Sequence, residues 1–213
     1  MILKRAFGCF FALALGCGFL NAQDEPKIAH TNRSATVVPY RAGPTSLKQI
    51  FSSFGPSATN AYNATTGYYV LGPNNSVGLG EQWIAIPFTP QKNSHATLLQ
   101  AGIGWISGAE IVDIGLYSDS GGTVGTLLAS GAATKMPAFG ACCSAANVTI
   151  PATALTAGMQ YWLVATTDDT NAPDFTGVFM ASNGSTIAYD PALAGWFNFS
   201  GNVPAAAVHG TEP

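Results

Sequence analysis

Ile111-Val112-Asp113-Ile114-Gly115-Leu116-Tyr117-Ser118-Asp119-Ser120-Gly121-Gly122-Thr123-Val124-Gly125-Thr126-Leu127-Leu128-Ala129-Ser130 reads as a β-hairpin. Val112, Ile114 and Leu116 fall on one side of an extended chain and Asp113, Gly115 and Tyr117 on the other, so one side suits a core and the other faces outward. Ser118 to Thr123 then supplies Asp, Ser and paired Gly, residues that accept positive φ and bond locally to the backbone. A second apolar run, Val124 to Ala129, returns the chain.

The same texture extends in both directions. Strands are expected at Leu47–Phe51, Tyr68–Leu71, Gln82–Phe88, Ala96–Ile106, Ala109–Tyr117, Gly125–Ala133, Asn147–Ile150, Gln160–Thr167, Gly177–Ala181, Thr186–Tyr189, Gly195–Phe199 and Ala205–Val208. Gly-Pro, Asn-Asn, Ser-Gly-Gly, Asn-Gly and Asp-Pro separate them, a pattern of sandwiches and barrels and not of βαβ units. No stretch carries the period and caps of an amphipathic helix; Thr153 to Ala157 suffices at most for one turn. The expected fold is all-β, an antiparallel, jelly-roll-like β-sandwich in one domain spanning 47–210, with 211–213 as a tail.

Residues 1–22 carry the marks of an export signal: Lys4 and Arg5, then the apolar run Ala6–Leu20, then Asn21-Ala22 before a cut. That run is about 15 residues, short of the roughly 20 that span a bilayer as a helix. A secreted or periplasmic protein is expected. The alternative is a lipoprotein anchored through Cys17, because Leu13-Ala14-Leu15-Gly16-Cys17 resembles a degraded lipobox. Residues 23–46, polar and broken by Pro26, Pro39 and Pro44, are expected to form a flexible lead-in.

Of 213 residues only 9% are charged while 47% are hydrophobic, and the net charge is −3. From Ile50 onward the only Lys or Arg residues are Lys92 and Lys135, against nine Asp or Glu. A duplex-binding protein needs several cations to displace counterions, and anionic lipid needs a basic patch, so neither nucleic acid nor a charged membrane surface is an expected partner.

Several segments together carry a family resemblance. They are Ile50-Phe51-Ser52-Ser53-Phe54-Gly55, Ile84-Ala85-Ile86-Pro87-Phe88-Thr89-Pro90, Leu116 to Gly122 of the hairpin, Phe139-Gly140-Ala141-Cys142-Cys143, and Leu155-Thr156-Ala157-Gly158-Met159-Gln160-Tyr161-Trp162-Leu163-Val164. In these the chain resembles the choice-of-anchor R family of bacterial exported domains. Val124-Gly125 stands where relatives often carry Pro-Gly. The resemblance implies export and a jelly-roll-like sandwich, and no defined activity. The final residues, Val208 to Pro213, show no hydrophobic tail or basic cluster, so release and not C-terminal anchoring is expected.

Catalytic patterns are sparse. Ser118-Asp119-Ser120-Gly121-Gly122 is near a serine-protease nucleophile motif, with His95 and Asp113 upstream, but a hairpin turn explains the same letters. His30, His95 and His209 do not cluster as metal ligands. Asp168 and Asp169 with Asp174 offer a hard cation several oxygens within a short loop, so a structural Ca²⁺ is the one candidate cofactor. Glu81 and Glu110 are the acids for the competing reading, a secreted hydrolase acting on polysaccharide, which needs two carboxyls about 5 to 9.5 Å apart.

After leader removal, Cys142 and Cys143 are the remaining cysteines. A trans peptide holds consecutive Cα atoms about 3.8 Å apart, below the usual disulfide range, so a vicinal bridge requires a strained ring. In an oxidising compartment it is still the favoured state, with reduced or intermolecular thiols as alternatives. Trp83 and Trp162, flanked by aliphatics, are expected in the core. Trp196 and Tyr117 are the candidate ligand-binding residues, for a glycan or other cell-surface polymer. A non-catalytic module of the cell envelope or extracellular matrix is the leading functional expectation; oligomeric state is open.

Overall fold

The computed structural model describes residues 26–31, 36–37, 46–182, 187–191 and 195–213, with backbone alone at 36–37 and 187–191. The expected leader, its Cys17 and most of the lead-in lie outside the described residues. The described chain contains no helix, so no helix there is long and apolar enough to cross a membrane.

The described residues form sixteen strands: β1 (Ile28–His30), β2 (Thr36–Val37), β3 (Lys48–Ser52), β4 (Asn63–Leu71), β5 (Gln82–Phe88), β6 (Ser94–Ala101), β7 (Ile103–Ser107), β8 (Ile111–Asp119), β9 (Val124–Thr134), β10 (Ala141–Cys142), β11 (Ala146–Leu155), β12 (Tyr161–Thr166), β13 (Thr176–Ala181), β14 (Ile187–Pro191), β15 (Phe197–Phe199) and β16 (Ala206–Thr211). The large antiparallel sheet runs β7-β13-β4-β5-β12-β8-β9, with β1 added to β4 and the β14–β15 pair added to β5. A four-stranded antiparallel sheet, β11-β6-β16-β3, packs on it as a sandwich, and β10 with β2 makes a short parallel ladder.

Alternation explains the core. Ile84, Ile86, Ile114, Leu116, Leu163, Phe179, Leu99, Val148 and Val208 are buried in one cluster between the sheets. Phe51 of the small sheet stacks on Phe88 of the large one, ring centroids 5.2 Å apart. Beside them Tyr161 packs against Phe88 at 5.9 Å.

The hairpin has the expected form. Gly121 and Gly122 hold φ of 66° and 89°, Ser120 N donates to Thr123 O at 2.9 Å, and Asp119 Oδ2 accepts from Gly122 N at 2.9 Å. Two expectations change. Ala96–Ile106 is not one strand: Gly102 breaks it, so that β6 belongs to the small sheet and β7 to the large one. Residues 28–30, expected in the flexible lead-in, are a paired strand, with Ile28 opposite Tyr68 and His30 opposite Thr66.

On the small sheet's outer side a polar network is buried. His209, 4% exposed, places Nε2 2.7 Å from Gln100 Oε1, and Gln100 Nε2 donates to Asn147 Oδ1 at 2.7 Å. Burial holds the His209 imidazole below its ordinary pKa. The unfolded chain therefore binds the proton first, and this contribution to stability is complete above the free imidazole value of about 6.5 and is lost as pH falls below it toward the lowered folded value. The urea midpoint is expected to drop from pH 7.5 to pH 5. His209→Asn should flatten that slope, and an unchanged slope in the variant would remove His209 from the account.

Candidate binding face

The outer face of the large sheet, turned away from the small sheet, is also apolar over β5, β12 and β8. Because Ile84, Ile86 and Leu163 point into the sandwich, Trp83, Ala85, Trp162 and Val164 point the other way. Trp162 stands between Pro87 on β5 and Tyr117 on β8, and Tyr117 stands beside Leu127 on β9. Ala85, Val124, Trp162 and Val164 are buried together as a cluster separate from the main core, with Tyr117 and Trp196 packed against it.

Both tryptophans expected in the core are thus on the far side of the sheet. Trp162 is 1% exposed, but what buries it is this second cluster. Trp83 is half-buried, its ring 6.5 Å from that of Trp196 at an interplanar angle of 46°. Trp196 and Tyr117 are half-buried as well. The outward side assigned to Tyr117 from the hairpin's alternation is the side it occupies.

Polar groups hold the rings in place. Asp119 Oδ1 accepts from Trp162 Nε1 at 2.9 Å and from Gln160 Nε2 at 2.7 Å. Desolvation works against the charge of Asp119, but hydrogen bonds from the Gly122 backbone, Trp162 and Gln160 together outweigh it and hold the carboxyl below the usual range. Trp83 Nε1 donates to Thr167 Oγ1 at 3.0 Å, and that hydroxyl lies 3.4 Å from Glu81 Oε1. Asn198 Nδ2 donates to Gly122 O at 2.8 Å, tying the segment that bears Trp196 to the hairpin turn. Asp113, opposite Thr166, has its pKa raised by burial and then by the Asp168 charge; Tyr117 is raised by burial and then by Asp113.

The other sequence candidates are dispersed. Asp168 Oδ1 accepts from the backbone N of Thr170 (2.9 Å) and Asn171 (3.0 Å), and its Oδ2 accepts from the Asn171 amide, forming a local turn. Asp174 instead accepts from Ala109 N at 3.0 Å, while Asp169 Oδ1 lies 3.2 Å from Thr167 Oγ1. The loop that looked like a Ca²⁺ site therefore spends its carboxylates on separate backbone and hydroxyl partners. Among the described residues no three His, Cys, Asp or Glu side chains gather as a metal-ligating group. Glu81 and Glu110 lie at the same end of the large sheet on opposite sides of β12, Glu81 entering β5 and Glu110 in the bend before β8.

Cys142 and Cys143 are at disulfide distance across a cis peptide bond, their Cα atoms 3.0 Å apart. Both are buried against Tyr62, Ala64, Val178 and Met180, where the 136–146 region covers the other half of the large sheet's outer face. Tyr62 Oη pins this region, donating to Ser144 O and accepting from Ser144 N, each at 2.9 Å. One half of that face is thus roofed by chain, and the Trp83–Trp162–Tyr117 half carries the partly exposed rings.

No family model matches the chain, and no curated protein matches it.

Proposed function

We propose that this protein is an exported, non-catalytic carbohydrate-binding module of the cell envelope or extracellular matrix, and that it binds glycan on the outer face of its large sheet. One observation carries this: Tyr117 and Trp196 stand half-buried on the outer face of the large sheet, packed against the buried cluster of Ala85, Val124, Trp162 and Val164, with the half-buried ring of Trp83 beside that of Trp196. Rings fixed in this way lose little entropy when a pyranose face stacks on them, since their rotamers are already set. Export is supported by the leader-like residues 1–22 and by the resemblance; the absence of turnover is supported by the failure of each catalytic pattern in the sequence.

A glycan array probed with the full chain is expected to return binding that falls tenfold or more, about 1.4 kcal/mol, in Trp196→Ala and in Tyr117→Ala. Both variants should keep their far-ultraviolet circular dichroism. A wild-type protein that binds no glycan would overturn the assignment.

A further inference from the structure

The edges of the two sheets are not alike. β7 ends the large sheet on one side and is covered: Trp105 N donates to Pro137 O and Phe139 N donates to Trp105 O, each at 2.8 Å. In the small sheet, β3 opens with Lys48, and β11 carries Pro151 and a shift of register between Thr149 and Thr153. β1 and β15 are three residues each. Short, charged, proline-bearing or covered edges resist pairing with another chain.

β9 ends the large sheet on the other side, and among the described residues it is bonded to β8 alone. Its 11 residues include no charge and no proline. The bulges in it lie toward the hairpin turn; from Ala129 to Thr134 it pairs with β8 in unbroken register, opposite Leu116 to Ile111. β11 packs behind it, with Val148 Cγ1 2.6 Å from where a Gly131 Cβ would stand, but β11 bonds only to β6. A regular stretch of edge therefore presents its outward N–H and C=O groups to a further strand. Next to that stretch, at the bulge, Leu127 and Leu128 are 47% and 41% exposed.

We propose that β9 is a dimer interface, on which a second copy of this chain pairs antiparallel through its own β9 and joins the two large sheets into one. Self-pairing brings identical strands together, so a charged edge would set like charges opposite one another, and β9 has none. Antiparallel pairing also lays the Leu127-Leu128 end of one strand beside the small residues Ser130 to Ala133 of the other, so that large side chains meet small ones. Lys135 follows β9, and Asp119 pairs with Val124 at its start, so opposite charges approach at each end of the junction. The symmetry axis stands perpendicular to the sheet, which keeps the outer faces of both copies on one side. On the glycan reading above, one polymer then meets two sets of rings, and the second contact forms at high effective concentration. The dimer itself does not depend on that reading.

Sedimentation velocity of the full chain, without ligand, is expected to show a dimer at about 100 µM that dissociates on dilution. The exposed positions Leu128 and Ser130 carry the test. Leu128→Lys/Ser130→Lys and Leu128→Glu/Ser130→Glu should each sediment as monomers with unchanged circular dichroism, and an equimolar mixture of the two should return to the dimer mass. A monomeric wild-type chain overturns the proposal, as does a dimer that both double variants leave intact. A mixture that stays monomeric overturns the strand-to-strand pairing. None of these results bears on glycan binding, which the array decides separately.

Discussion

Trp162→Ala is expected to cost about 3 to 5 kcal/mol of stability. The residue is fully enclosed, so truncation removes a large buried area and leaves a void beneath Tyr117 and Val124 that the sheet cannot close without bending β12. It also removes the indole N–H that Asp119 accepts, at the point where the hairpin turn is fastened. Trp162→Phe separates these contributions: it keeps most of the ring and loses the hydrogen bond, so a smaller deficit of about 1 to 2 kcal/mol is expected. Urea denaturation followed by circular dichroism measures both, and a Trp162→Ala loss below about 1 kcal/mol would show that the outer cluster contributes little to the fold.

A larger effect is expected from one methyl group. Gly67 lies in the interior of β4, between β1 and β13, opposite Ala29 and Met180. A Cβ placed there would sit 2.2 Å from the Phe179 carbonyl oxygen and 2.6 Å from Val178 Cγ1. The first of these atoms is backbone in a paired strand, so relief requires β13 to move away from β4. Gly67→Ala should therefore lose about 4 kcal/mol or more, in the range where a small domain fails to accumulate. Gly158→Ala is the comparison: its φ is 76° but nothing lies near its missing Cβ, so about 1 kcal/mol of backbone strain is expected. Equal losses in the two variants would contradict the crowding argument.

The strand pattern was legible because turn chemistry and alternation agree along most of the chain. Gln82–Phe88 is bounded as expected, and the hairpin differs from expectation by a residue or two at its strand ends. The change of sheet at Gly102 was not legible. Apolar residues continue on both sides of it, and the break is tertiary: Gly102 N donates to Ala205 O while Gly102 O accepts from Met180 N, each at 2.8 Å.

The candidate site was half visible. Tyr117 alternates with aliphatic neighbours, so its outward side could be read directly. Trp83 and Trp162 could not be placed, because β5 and β12 are apolar on both faces and alternation between Trp83-Ala85 and Ile84-Ile86 has no polar side to identify. The same ambiguity hid the outer cluster, which exists only once β5, β12 and β8 are set in register. The Asp168 loop is ambiguous for a different reason: a string of oxygens close in sequence suits a cation and suits a self-bonded turn equally, and the turn's own bonds show only in three dimensions.

The position of β16 has a consequence for biogenesis. It lies between β6 and β3, bonded to both, although β3 begins near residue 48 and β16 ends at residue 211. The second layer cannot close over the hydrophobic interior until residues 206–211 have left the ribosome, since that segment supplies its central ladder, more than 150 residues after β3. A chain threaded across a membrane from its N-terminus would remain open, and so translocatable, until that segment arrived.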